Sequence, residues 1–205
     1  MALLFIIAAI AFNQAYASTP VGYWKSYFNN GSRPQAIVKI TGHKNKKGIM
    51  EYSGIVYIGW PHRYLSRNHL LCQNCPQPYT NQFLACLPVM WGYRHTPNTQ
   101  HTWYGGHVLD IFNGNIYSSK FELSADGNTM TILAYKVFYF IGRTQTWHRI
   151  SATKAKQQRD QAIAAWRKSL LNNKDYYQPE VQYLQQQWQG DTPLTEQDVL
   201  QKLRC

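Results

Sequence analysis

Between residues 21 and 150 the chain reads as eight short stretches of β-type sequence, opened by Gly22-Tyr23-Trp24 and closed by Gly142-Arg143-Thr144-Gln145-Thr146-Trp147-His148-Arg149. Few architectures accept that order. Many short strands at regular spacing, with no helical period between them, build an antiparallel barrel or sandwich rather than a parallel sheet. The two bracketing signatures favour the barrel, because in a closed meander the first and last strands pair. A tryptophan early in strand one then meets arginines of strand eight, where a large ring excludes water and a guanidinium laid over it caps nearby carbonyls.

The candidate strands are 21–28, 36–41, 48–60, 87–93, 102–109, 115–123, 129–137 and 143–150. Ala36, Val38 and Ile40 alternate with Ile37 and Lys39, the period of two of a half-buried strand. In the third stretch Met50, Tyr52, Val56, Ile58 and Trp60 share one face, and Gly54 sits on it as a place for a bulge or bend. Asn113-Gly114 and Asp126-Gly127 supply the positive φ that tight hairpins need, and Lys44-Asn45-Lys46-Lys47-Gly48 reads as a hairpin turn. An eight-stranded barrel has an interior that side chains fill or that holds one small ligand.

The N-terminus points to export. Residues 2–12 form an apolar run, too short for the ~20 residues of a spanning helix, followed by the small-x-small pattern Ala15-Tyr16-Ala17. This predicts a signal peptide over 1–17, cleaved near Ala17, and a periplasmic or secreted product. No lysine or arginine precedes the apolar run. Composition changes near Ser151, from aromatic and β-branched to Gln-, Ala-, Lys- and Leu-rich, which divides the mature chain into a barrel over 18–151 and a helical extension over 152–205. Ala155, Ala162, Ile163, Trp166 and Leu170 make one apolar helical stripe, and Val181, Leu184 and Trp188 begin another. The charge is +9 over 18–151 and +2 over 152–205. A basic exported domain can meet anionic surfaces, but no Lys/Arg run with interleaved aromatics points to nucleic acid. The Gln-rich tail lacks the basic polar face of a membrane helix, and no stable membrane insertion is expected.

A family pattern emerges from the motifs in order. They are Pro20-Val21-Gly22-x-Trp24-Lys25, Cys72-x-x-Cys75-Pro76, Trp91-Gly92, Gly105-Gly106-x-x-Leu109-Asp110 with Asn113-Gly114-x-Ile116-Tyr117, Leu123-Ser124-x-Asp126-Gly127-Asn128, and the closing Gly142–Arg149 segment. In this sequence the stretch from about Pro20 to Ile150 resembles the bacterial domain of unknown function 2147 family. The resemblance implies an exported, lipocalin-like barrel with no established activity. Two features depart from it: the tail after Ser151 matches nothing in the family core, and Cys86 stands where a small residue such as glycine is expected.

Four cysteines, Cys72, Cys75, Cys86 and Cys205, are disulfide candidates in an exported chain, and they allow three connectivities. A redox centre would want Cys-x-x-Cys at a strand-to-helix junction, whereas Pro76 and Pro78 follow here. A zinc site from His62, His69, Cys72 and Cys75 matches no standard spacing. The expectation is a structural disulfide clamping the long connection, with no metal and no cofactor. The barrel stretch holds only Glu51, Asp110, Glu122 and Asp126 as acids, and no nucleophile-base motif occurs, so an enzyme is not expected.

Arg143, Gln145, Trp147 and Arg149 share one face of the last strand by strict alternation. Facing inward, they would line a wall able to take a carboxylate or phosphate bidentately. The structural alternative places Gly22, Trp24 and Arg143 or Arg149 together at the closing seam. The leading functional reading is a binding module for a small hydrophobic or amphipathic ligand, possibly anionic. The alternative is a barrel packed solid whose helical tail docks a partner.

Overall fold

The computed structural model describes residues 19–28, 31, 33–60, 71–136 and 142–172, with side chains of the helix to residue 165, and isolated positions 197, 201 and 204. Eight antiparallel strands follow one another and close: β1 (Gly22–Tyr27), β2 (Pro34–Lys44), β3 (Met50–Gly59), β4 (Pro88–His95), β5 (Thr102–Leu109), β6 (Ile116–Leu123), β7 (Thr129–Tyr135) and β8 (Gly142–Ile150). β8 pairs back onto β1 through Tyr23–Ile150, Trp24–Arg149 and Lys25–His148. One helix, α1 (Ala152–Asn172), follows. The predicted signal segment 1–17, His62, His69, the second apolar stripe and Cys205 lie outside the described residues.

Up-and-down order gives the barrel two distinct ends. At one, the seam end, the chain enters β1, and β2–β3, β4–β5 and β6–β7 turn. At the other, the mouth end, β1–β2 and β5–β6 turn and the long β3–β4 connection crosses. Side-chain carboxamide and carboxylate groups hold the turns. The Asn45 side-chain oxygen accepts from the N–H groups of Lys47 (2.9 Å) and Ile49 (3.0 Å), and Asp126 accepts from Asn128 N–H (3.0 Å), each an Asx-type turn.

Inward-facing residues make one apolar core. Towards the seam end it is filled by large groups, with Trp24, Trp103, Phe121, Met90 and Met130 all fully buried. Trp103 stacks on Phe121 at 5.1 Å, and Phe121 packs against Tyr93 at 4.9 Å. The Tyr93 hydroxyl and the Ser119 hydroxyl hydrogen-bond to each other in this core. Gly54 is glycine because a Cβ there would lie 2.6 Å from Met90 Cγ and 2.9 Å from Val38 Cγ1. The β3–β4 register shifts on both sides of it.

The expected single face of the third strand is corrected. Val56 joins the barrel interior, whereas Ile58 and Trp60 join a second cluster on the outer wall. The cause is a bulge: Ile37 pairs with Ile58 but Val38 with Val56, leaving Tyr57 as an extra residue. An inserted residue reverses the alternation beyond it, so Tyr57 and Ile58 both face outward. They meet Ile37, Leu71, Ala85 and the helix residues Ala155, Ala162 and Ile163. The Arg159 guanidinium lies 4.6 Å from the centre of the Tyr57 ring. The apolar stripe of α1 is thereby buried on the barrel wall.

The β3–β4 connection serves both cores. Cys72 and Cys75, joined by a disulfide, are buried with Leu84 and Leu87 in the barrel core. Leu71 and Ala85 belong to the outer one. At the mouth end Asn74 donates to the carbonyl of Phe112 on the β5–β6 turn (3.0 Å). Cys86 is disulfide-bonded as well. Its φ of 68° is the left-handed region where glycine is at ease, which accounts for the expectation of glycine at this position.

Candidate functional site

The inner wall of β8 runs through the molecule from seam to mouth, and its four residues have different fates. At the seam end Arg149 is fully engaged. Its guanidinium carbon lies 4.3 Å from the Trp24 ring centre. Nε donates to Gly127 O (2.7 Å), one terminal nitrogen to Val21 O (2.8 Å) and the other to Thr19 O (2.6 Å). The Trp24 indole N–H donates to Pro20 O (2.8 Å). Gly22 completes the arrangement: its φ is 134°, and a Cβ would sit 3.0 Å from an Arg149 terminal nitrogen. Burial lowers the Arg149 pKa, yet a guanidinium keeps its charge at physiological pH.

Two residues inward, Trp147 is buried in the barrel core. Its indole N–H donates to the Gln145 side-chain oxygen (2.9 Å). The Gln145 amide in turn donates to Tyr27 O (3.0 Å) and to the Gln35 side-chain oxygen (2.7 Å). Gln35 escaped sequence reasoning because it precedes the candidate second strand. The register shift between Ser26 and Tyr27 places it where β1 meets β2, and no periodicity signals such a bulge.

At the mouth end Arg143 is exposed, opposite Ala134 of β7. It has no ion-pair or hydrogen-bond partner among the described residues. The Lys136 ammonium lies 5.7 Å from the centre of the Tyr117 ring at the same end, and Asp110 there accepts from the Phe112 N–H (2.9 Å). Arg143 therefore does not share the seam with Gly22 and Trp24, and Arg149 is not available to an anion.

The inner wall of β8 opens towards the mouth: Trp147 is buried, Gln145 is half-buried and Arg143 is exposed, with Ala134 of β7 half-buried opposite Arg143. Inward positions towards the mouth are also small or polar: Ser26, Ala36, Ser119 and Ala134. Among the described residues no group of three or more His, Cys, Asp or Glu side chains could hold a metal ion. No described helix is long and apolar enough to cross a membrane.

The family model described as "uncharacterized protein conserved in bacteria" (DUF2147) matches residues 22–149, from the seam glycine to the seam arginine. The chain belongs to this family. Among solved structures, the DUF2147 barrel is similar to the Helicobacter pylori protein HP1028, described as belonging to the lipocalin family. The TM-score is 0.50 and the identity 16%, over 67% of this chain and 86% of that one. At that identity the likeness speaks for the fold alone, a lipocalin-like closed barrel. No curated protein matches the chain. The family match ends at Arg149, so α1 lies beyond it, while the wall residues that α1 covers lie within it.

Proposed function

We propose that this DUF2147 barrel is an exported, non-enzymatic binding module that takes a small amphipathic, anionic molecule through its mouth end. The observation that carries the reading is the graded exposure along the inner wall of β8. Trp147 is sealed, Gln145 half-buried and Arg143 exposed. An apolar portion would rest towards Trp147, and a carboxylate or phosphate would meet Arg143, whose planar fork donates to two oxygens. Lys136 adds a second positive charge at the same end.

The test is native mass spectrometry and titration calorimetry on protein purified without denaturation, with a series of fatty acids and lysophospholipids. Binding is expected, and Arg143→Ala should weaken it by roughly tenfold, the equivalent of about 1.4 kcal/mol. A barrel that carries no adduct and gives no heat with any of the series would overturn the reading. That result would leave the barrel as a solid-packed scaffold whose helical extension meets a partner.

A further inference from the structure

The mouth reading leaves the opposite end of the barrel unused, and its surface is unusual. From Thr41 onward β2 pairs only with β3, because β1 stops at the Gly22–Ile40 pair. The last four residues of β2 therefore extend about 13 Å past the end of β1, at ~3.3 Å per residue. On the other flank the last β3–β4 pair at this end is Tyr52–Tyr93 and Arg94 of β4 still bonds Glu51, so the tip from Lys44 to Met50 lies beyond both flanking ladders. Lys44, Lys46 and Lys47 are all exposed on this tip. None has an acidic partner among the described residues. Glu51, the acid nearest in sequence, is taken by Asn45 (2.7 Å) and Arg94 (3.0 Å). Asp126, on the β6–β7 turn of the same end, is occupied by Ser124 and Asn128.

Beside the lysines stand two apolar side chains, Ile49 at 43% and Met50 at 42% exposure, with Lys44 paired directly across from Met50. Val21, which leads into β1 at this end, is 41% exposed. We infer that the β2–β3 ribbon is a membrane-surface contact that seats the seam end of the barrel on a bilayer of anionic lipid. The three lysines meet the headgroups, each adding to the attraction near an anionic surface. Ile49 and Met50 enter the boundary below. The apolar pair favours lipid over a soluble polyanion, because an exposed isoleucine gains nothing from a glycan or phosphate chain but does gain from an apolar layer. The shape agrees, since a convex tip suits a plane and offers neither groove nor stacking platform for a polymer.

The experiment is flotation of the mature protein with phosphatidylglycerol/phosphatidylethanolamine vesicles, and separately with phosphatidylcholine vesicles. Binding to the anionic vesicles is expected at about 0.1 M salt and release near 1 M, where the screening length falls from about 10 Å to about 3 Å. Combining Lys44→Ser, Lys46→Ser and Lys47→Ser should lower partitioning at least about tenfold. Ile49→Ser with Met50→Ser should lower it while leaving salt release in place. A charge-matched control, Lys120→Ser with Lys154→Ser and Lys156→Ser, all away from the tip and the mouth, should bind like wild type. Melting curves establish that every variant is folded. Absence of binding to the anionic vesicles overturns the inference. So does a control that loses as much as the tip variant, which would show attraction by net charge alone. Full binding by the Ile49/Met50 variant, with equal competition from heparin, would make the tip a soluble-polyanion surface instead and overturn the lipid assignment.

Discussion

Arg149 lies over Trp24 at 4.3 Å and at the same time holds the carbonyls of Thr19, Val21 and Gly127. One side chain thus ties the entering chain, the β6–β7 turn and the last strand together across the only place where the sheet must close. A desolvated cation–π contact contributes about 2 kcal/mol, and hydrogen bonds from a charged donor contribute about 1.5–3 kcal/mol each before the half-exposure of this group is discounted. Arg149→Ala is expected to cost about 2–4 kcal/mol in urea unfolding. Arg143→Ala should stay within about 0.5 kcal/mol of wild type. Equal losses in the two variants would show that the seam does not depend on this residue.

Trp24 itself is fully buried with its indole N–H bonded to Pro20 O. Trp24→Ala should cost about 3–5 kcal/mol, a large share of the stability of an ordinary domain. A thermal melt within a degree or two of wild type would refute the placement.

Gly54 and Met90 should be energetically coupled. Gly54→Ala pushes a methyl against Met90 and Val38 and is expected to cost about 1–3 kcal/mol. Met90→Ala opens a cavity at about 2–5 kcal/mol. In the double variant the new methyl occupies part of that cavity. The two costs should therefore fall short of additive by about 0.5 kcal/mol or more in a double-mutant cycle.

Cys86 offers a test of backbone strain separate from its disulfide. Cys86→Gly and Cys86→Ala both remove the bond, but only glycine is relaxed at a φ of 68°. Glycine gives back some of that advantage as unfolded-chain entropy, so Cys86→Gly should be the more stable by about 0.5–1 kcal/mol. Alanine equal to or better than glycine would contradict the left-handed backbone.

Asp126 should titrate far below an ordinary aspartate. Hydrogen bonds from the Ser124 hydroxyl, the Asn128 N–H and the Asn128 side chain hold its pKa at about 2, against 3.8 for the free group. A lowered carboxyl pKa means stability that is present above 3.8 and lost as pH falls towards 2. Carboxyl carbon NMR should place the midpoint near 2, and Asp126→Asn should flatten the acid limb of the stability curve in that window. A midpoint near 3.8 would show the turn to be open in solution.

The sequence made the eight strands readable because each has its own alternation and most of the tight turns carry their own chemistry, as at Asn113-Gly114 and Asp126-Gly127. The seam was readable down to Trp24 because closure of a meander fixes which strand meets which. The choice between Arg143 and Arg149 needed the register, which sets Arg149 opposite Trp24. The fate of Ile58 was hidden for a related reason. A bulge leaves no local mark when the extra residue, Tyr57, is as good a strand former as its neighbours. The burial of Cys72, Cys75, Leu84 and Leu87 inside the mouth half could not be read either, since an irregular connection has no period from which to infer a buried face.

Tyr57 has a consequence for how the molecule comes apart. By reversing one strand it makes β3 a party wall, with Val56 facing the barrel interior and Ile58 facing the helix. Peeling α1 away would wet Ile37, Tyr57 and Ile58 together on strands whose other sides hold the barrel closed. Amide protons of α1 near Ala155 and of β2 and β3 should consequently exchange at one common free energy, as a single cooperative unit, so that α1 unfolds with the barrel rather than before it.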